Sequence, residues 1–329
     1  MQKKIIVMYI IFLLFTIHSL SSVQSSVNTN ILYVGGTGEG NYSSIQEAIR
    51  NASISSQIIV YPGVYNESVD LYKRCHLKSL DTHKALISYQ GNDDTISITA
   101  NNCIIEGFNI THKTGQSFTS LNVNADNAII KNNIFYENPG RGLYFFQSKN
   151  CSVLHNQFYS DGIHIVGKTS EWSSHTINNN TIDNKPVIYL KNKKDLRVQN
   201  NTLGQIILAN CTDITLQNLF IGGGDQAILL GHCDYCMIQN NSINDTDYGI
   251  HLSYSDNCTL TSNHISENKY GIYLIHALRN IVSLNNVSFQ KTYGIWICCN
   301  SKQNKIYHNI FFNNNQSAYD LFSNQWYQQ

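Results

Sequence analysis

The sequence predicts an all-β fold: a right-handed, single-stranded parallel β-helix solenoid of about ten or eleven coils with a short N-terminal capping helix. Three observations predict it. A short phrase returns at a nearly constant interval. Apolar residues alternate within each interval. Proline is almost absent, with three in 329 residues.

The phrase is RGLYFFQ at Arg141, DGIHIVG at Asp161, QAILLGH at Gln226, YGIHLSY at Tyr248, YGIYLIH at Tyr270 and YGIWICC at Tyr293. A second marker is an Asn before an apolar residue, at Asn133, Asn156, Asn180, Asn201, Asn218, Asn241, Asn263, Asn286 and Asn309. Within a unit, Ile250, Leu252, Leu260 and Ile265 follow period two, so each run is a short strand. Three such strands plus turns make one coil. An Asn at the bend suits left-handed backbone angles, and its amide can bond the Asn of the next coil. The Gly of Tyr-Gly-Ile suits a second bend. Internal strands need every N–H, which explains the scarcity of proline.

The N-terminus, MQKKIIVMYIIFLLFTIHSL, places two lysines before an apolar run and small residues after it. That is the layout of a secretory signal peptide over residues 1–25, and export is the expectation; an uncleaved anchor is the alternative. No other stretch is long and apolar enough to span a membrane. One β-helix domain is expected over 29–329. Its cap lies at about 30–56, where Ser43 or Ser44 starts a helix with Ile45, Ala48 and Ile49 on one face. Coils are expected over about 58–325. The stretch 165–205 is less regular, and KNKKDLR at 191–197 reads as a solvated turn.

The chain carries 22 basic and 22 acidic residues. That balance gives no electrostatic case for a nucleic-acid or anionic-membrane partner. Many Asn-x-Ser/Thr sequons occur, as an Asn- and Ser-rich composition produces by itself.

YSSIQEAIRNAS followed by IIVYPGVYNESV resembles the opening of pectin-lyase-like right-handed β-helix proteins. The repeated YGI…N…I…N unit, and the tail NKIYHNIFFNNNQSAYDLFSNQW, resemble the NosD-like family of periplasmic and cell-surface β-helices. The resemblance covers nearly all of the mature chain and implies the fold. For function it implies a choice among sugar-modifying enzymes, surface proteins and a copper-maturation accessory protein.

The residue after the inward Ile points outward, giving a column Tyr144, His164, Tyr189, Leu229, His251, Tyr273, Trp296, Tyr319. An exposed stripe of this kind can take sugar rings, so Tyr144, His251, Tyr273, Trp296 and Tyr319 are substrate-binding candidates. Aromatic residues also favour any β surface and cover one another. Arg141 and Asp161 precede the Gly position on neighbouring coils, with Tyr144 and His164 beside them. A cation, a carboxylate, an imidazole and a phenol suit proton abstraction from a uronic acid, as in a lyase or epimerase. Asp225 and Asp247, with His251 near them and Lys269 next in the column, suit a glycosidase acid pair or a Ca²⁺ site. The plainer alternatives are a surface ion pair for Arg141 and Asp161, and lone carboxylates for Asp225 and Asp247.

Of nine cysteines, Cys103, Cys151, Cys236 and Cys258 share one column, with Cys211 close by. A packed interior column explains them, and a Cys236–Cys258 disulfide is open. CDYC at 233–236 and Cys298–Cys299 lack a second pair for zinc, so no metal and no cofactor are expected. The functional expectation is a secreted or cell-surface protein that binds a polysaccharide or cell-surface glycan, or is structural, without catalysis. The alternatives are a polysaccharide lyase, hydrolase or uronate epimerase, and a periplasmic copper-handling accessory protein.

Overall fold

The computed structural model describes residues 30–114, 118–138 and 140–327. The leader predicted over residues 1–25 lies outside the described residues. The chain is a parallel β-solenoid whose widest sheet has 13 strands, so it makes about 13 turns. The fold class is the predicted one, but the turns exceed the expected ten or eleven. One of the additional strands comes from a hairpin in the irregular stretch, which puts both Thr181–Ile182 and Lys185–Lys191 into that sheet.

The N-terminal helix α1 (Ile45–Asn51) buries Ile45, Ala48 and Ile49, and Ser44 is its N-cap, accepting from the Glu47 N–H. The Glu67 carboxylate takes the next free donors, Ile45 N at 2.8 Å and Gln46 N at 2.9 Å. α1 thereby closes one end of a stack, where exposed core would meet water.

Above it the solenoid is built in two stacks. In the first, sheets of seven and five strands and six strands of the 13-stranded sheet enclose one core. In the second, sheets of seven and six strands and the other seven strands of the shared sheet enclose another. The stacks join at Asp183–Asn184. Both residues are left-handed, at φ 47° and 63°, as a two-residue hairpin requires. Thr181–Ile182 and Lys185–Lys191 therefore pair antiparallel, with Ile182 opposite Lys185. All other strand pairs among the described residues are parallel.

Reversing the chain here exchanges the faces of the shared sheet. Ile182, Val187 and, in register with Tyr189, Ile207 and Leu229 face the first core. The alternate residues Ile206, Leu208, Ile228 and Leu230 face the second. Period-two geometry allows nothing else once the hairpin is set. The outer face of the second stack thus covers the open end of the first. Gln205 completes the cover by accepting from Ile163 N at 3.1 Å and donating to Ile163 O at 2.7 Å. Its side-chain amide stands where the next strand would pair. Trp172 of the short helix α2 (Thr169–Trp172) is fully buried at the same joint, against Gly231, where a Cβ would lie 2.1 Å from the indole.

The Asn columns form ladders. Asn133 donates to Asn156 Oδ1 and Asn156 to Asn180 Oδ1 in the first stack, at 3.1 and 3.0 Å. In the second, Asn241, Asn263, Asn285 and Asn309 are linked by three bonds of 2.9 Å. Three expected markers differ. Asn285, not Asn286, holds the ladder position, while Asn201 and Asn218 are exposed: Asn201 donates within its own turn to Gln199 O, and Asn218 donates to Asn200 Oδ1 of the turn before. The left-handed residue is also the one before the ladder Asn: Asn132, His155, Asn179, Asn240, Ser262, Leu284 and His308 have φ near 55°. The ladder Asn is needed for its amide, not for its backbone. Likewise Gly249, Gly271 and Gly294 are not at left-handed angles. A Cβ there would lie 2.5–2.6 Å from a carbonyl oxygen of the next turn, so close approach of turns is what requires glycine.

Two outcomes follow for stability. Asn263→Ala removes the donor to Ile238 O and breaks the ladder on both sides; it should cost about 3 kcal/mol in urea unfolding, because buried partners are left unpaired. Gly271→Ala should cost more than about 2 kcal/mol through forced separation of turns, whereas Gly63→Ala, with no neighbour nearer than 3.5 Å, should change stability by under about 0.5 kcal/mol.

Candidate functional site

The residues singled out for chemistry converge on the joint, by a route the repeat alone does not give. Tyr144 and His164 are in register on the outer face of the first stack's five-stranded sheet. Tyr189, Ile207, Leu229, His251, Tyr273, Trp296 and Tyr319 form a separate column on the 13-stranded sheet. The single predicted column is therefore two, and they meet where the His164 and His251 rings contact edge to face at 5.7 Å.

Arg141 and Asp161 do not pair with each other. The Arg141 guanidinium lies over the Tyr144 ring at 4.8 Å. Asp161 is fully buried; one carboxyl oxygen accepts from Asn138 and the other has no partner among the described residues. Asp225 reaches across from the second stack. Its Oδ2 accepts from Gly142 N and Gly162 N, both at 3.1 Å, which begin neighbouring strands of the first stack. Asp225 is therefore a clamp between stacks.

Burial sets the titration of this cluster. Desolvation, then the neighbouring Asp225, raises Asp161 well above the carboxylate range. Desolvation raises Asp225 to about 7, opposed mainly by the Gly142 N–H, while Asp247 adds to the rise. Asp247 is raised by desolvation, against the attraction of Lys269, Lys291 and Arg141. Desolvation lowers His251 to about 3 and takes His164 well below its usual value. Both imidazoles are thus neutral. Gln226 bridges them, its oxygen 2.9 Å from His251 Nδ1 and its amide nitrogen 3.3 Å from His164 Nδ1. That amide orientation puts the proton on His251 Nδ1 and leaves His164 Nδ1 as acceptor.

Exposure divides the candidates. Asp161, His251, Asp225 and His164 are 0, 4, 5 and 6 % exposed, where an open stripe was expected for His164 and His251. The covering of each stack by the other is the reason. Arg141, Asp247, Tyr144, Tyr273, Trp296 and Tyr319 are partly exposed. Asp247 lies on a cleft of about 230 Å³ whose walls come from both stacks: Asn138, Gly140 and Ser160 from the first, Gly223, Gly224, Asp225, Asp245, Thr246 and Lys291 from the second.

Beside the cleft runs a ladder of rings. Tyr273 stacks on Trp296 at 4.6 Å, His251 contacts Tyr273 at 4.7 Å, and Tyr248 stacks on Tyr270 at 4.9 Å. Tyr270 and Trp296 join the two rows at 5.1 Å, and Tyr293 continues to Tyr319 at 5.4 Å. The rings spend much of their faces on one another and present edges and polar tips outward. Alternation from Ile250 predicts Tyr248 inside, yet its ring meets His251 at 5.5 Å and Tyr273 at 5.4 Å on the outer face. Gln205, Gln226, Asn138 and Lys291 were also missed, because their partners are distant in sequence.

Copper, which the resemblance brings in, needs soft donors converging on a point. Cys211 and Cys233 occupy one interior column, and Cys236 and Cys258 the next. Each of these thiols donates to a backbone carbonyl, and Cys233 Sγ accepts from Cys211 N. Among the described residues no group of three or more His, Cys, Asp or Glu is placed to hold a metal ion. Met237 is exposed on the outer face. This donor set does not fit a copper ion.

The clamp has a measurable consequence. Asp225 binds its proton up to about pH 7 when folded, but only to about pH 4 when unfolded. Between these values the folded state holds more protons, so stability falls as pH rises. Asp161 acts in the same direction. Asp225→Asn keeps an oxygen for the two glycine N–H groups and removes the ionisation. Urea midpoints should fall from pH 5 to pH 8 in the parent protein and stay flatter in the variant.

Residues 160–329 match the family described as "Periplasmic copper-binding protein (NosD)", and residues 64–206 match "Right handed beta helix region". No curated protein matches the chain. Among solved structures, the A-module of mannuronan C-5 epimerase AlgE4 from Azotobacter vinelandii is 14 % identical, with 88 % of this chain and 99 % of that chain covered and a TM-score of 0.40. Pectate lyase Pel9A is 12 % identical, with 93 % and 80 % covered and a TM-score of 0.40. A deglycosylated pectin methylesterase from Aspergillus niger is 13 % identical, with 89 % and 87 % covered and a TM-score of 0.35. Among the described residues no helix is long and apolar enough to cross a membrane. The family match spans just over half of the chain, and the protein belongs to the NosD family of β-helix proteins.

Proposed function

We propose that the protein is an exported glycan-binding β-helix protein whose site is the corner between the two stacks, and that it binds without cleaving. The observation that carries this is the small polar cleft at the joint, placed beside half-exposed aromatic rings. Backbone at Gly140, Gly223 and Gly224, with Asn138, Ser160, Asp247 and Lys291, offers donors and acceptors for hydroxyl groups. Tyr248 and Tyr270 supply an amphipathic edge for the ring of a sugar. Binding is favoured over catalysis by access. A general acid or base must reach the reacting atom, and Asp161, His164 and His251 are buried and tied into the joint.

A second reading has one observation in its favour. Asp225 lines the cleft and holds its proton to about pH 7, which suits a general acid, with Asp247 as its partner. That would make the protein a hydrolase, lyase or epimerase.

A glycan array with the purified mature protein, followed by product analysis on each bound polymer, separates the two. Binding with unchanged polymer is expected; a shortened or epimerised product would select the enzyme, and a blank array would overturn both. Tyr270→Ala and Trp296→Ala should each weaken binding about tenfold while leaving the melting curve of the protein cooperative.

A further inference from the structure

We infer that the site takes the terminal residue of a glycan chain and not an internal stretch; this rests on the glycan reading above. The outer column of the shared sheet changes character along its length. Leu229 is fully buried and His251 4 % exposed, both beneath the end of the first stack. The following Tyr273, Trp296 and Tyr319 are partly exposed. The track of rings is therefore open toward the C-terminal turns and stopped at the joint, where the His164 ring, beside Tyr144, meets the His251 ring, beside Tyr248.

The cleft lies at this stopped end. Asn138, Gly140 and Ser160 of the first stack close one side, and the Gly223–Asp225 and Asp245–Asp247 corners of the second close the other. Its volume, about 230 Å³, is below the roughly 300–1,000 Å³ of pockets that enclose drug-sized ligands. It suits one sugar-sized group. From His251 to Tyr319 the ladder spans three strand intervals, or ~14 Å, enough for a short run of further residues leading away from the cleft. A chain running through would have to pass Asn138 and Ser160, which are backed by the first stack. A chain end meets no such obstacle.

The test uses the full mature protein with size-graded linear polygalacturonate and, as a neutral counterpart, size-graded linear glucan. Protein bound at saturation is measured at equal mass of glycan. End recognition predicts that bound protein rises in proportion to the number of chain ends, so that halving the chain length doubles it. Bound protein that follows total sugar mass, whatever the chain length, overturns the inference and leaves glycan binding standing. No binding to either series overturns both. Lys291, exposed at the mouth of the cleft, provides the second arm. Lys291→Trp should reduce binding to short oligomers at least tenfold with an unchanged circular dichroism spectrum; undiminished binding would place the site elsewhere and sink the proposal.

Discussion

A β-solenoid is stable only where each turn has a neighbour, because both the core and the strand edges are open at its ends. This protein meets that constraint at the N-terminus with α1 and Glu67. At the end of the first stack it uses the second stack itself. The side-chain amide of Gln205 replaces a strand, the Asp225 carboxyl replaces two acceptors, and Ile207 and Leu229 replace a layer of core. The burial of Asp161, His164, Asp225 and His251 follows from that closure.

The closure depends on a two-residue turn. At Asp183–Asn184 the backbone adopts left-handed angles twice in succession, which Asn and Asp tolerate better than most residues. The strand that follows runs backwards along the first stack's sheet. Its inward and outward residues are thereby exchanged, and the second stack forms on the opposite face. A face that would be solvated in a continuous solenoid becomes the lid of one core. Polar residues on that face must then find partners, and Gln205, Gln226 and Lys191 do so across the joint.

Electrostatics at the joint are those of a buried interface. Two carboxyl groups in close company and out of water cannot both ionise cheaply, so protons are retained. Hydrogen bonds from backbone N–H groups partly offset the burial of Asp225. The imidazoles are held neutral for the same reason and serve as hydrogen-bonding spacers through Gln226. Side chains that look like an acid–base set by type are in large part the fasteners of the fold. What remains accessible, Asp247, Lys291 and the edges of the rings, is suited to holding a polar ligand.

The sequence by itself determined the local geometry. The period of the repeat, the alternation of Ile and Leu, the cap at Ser44 and the ladder at Asn133, Asn156, Asn180, Asn241, Asn263 and Asn309 were legible, because each turn repeats the same short-range requirement. Even the irregularity near 165–205 was visible, although not its meaning. The ladder was misplaced by one residue at Asn285, where two Asn stand side by side and only the amide contacts tell them apart. The tertiary structure decided that Tyr144 and Tyr273 lie on different sheets, that Asp161 and Asp225 meet although 64 positions apart, and that His251 is buried while Tyr273, one turn on, is not. Those outcomes depend on a single reversal of chain direction, and a periodic signal carries no information about where one stack is folded onto another.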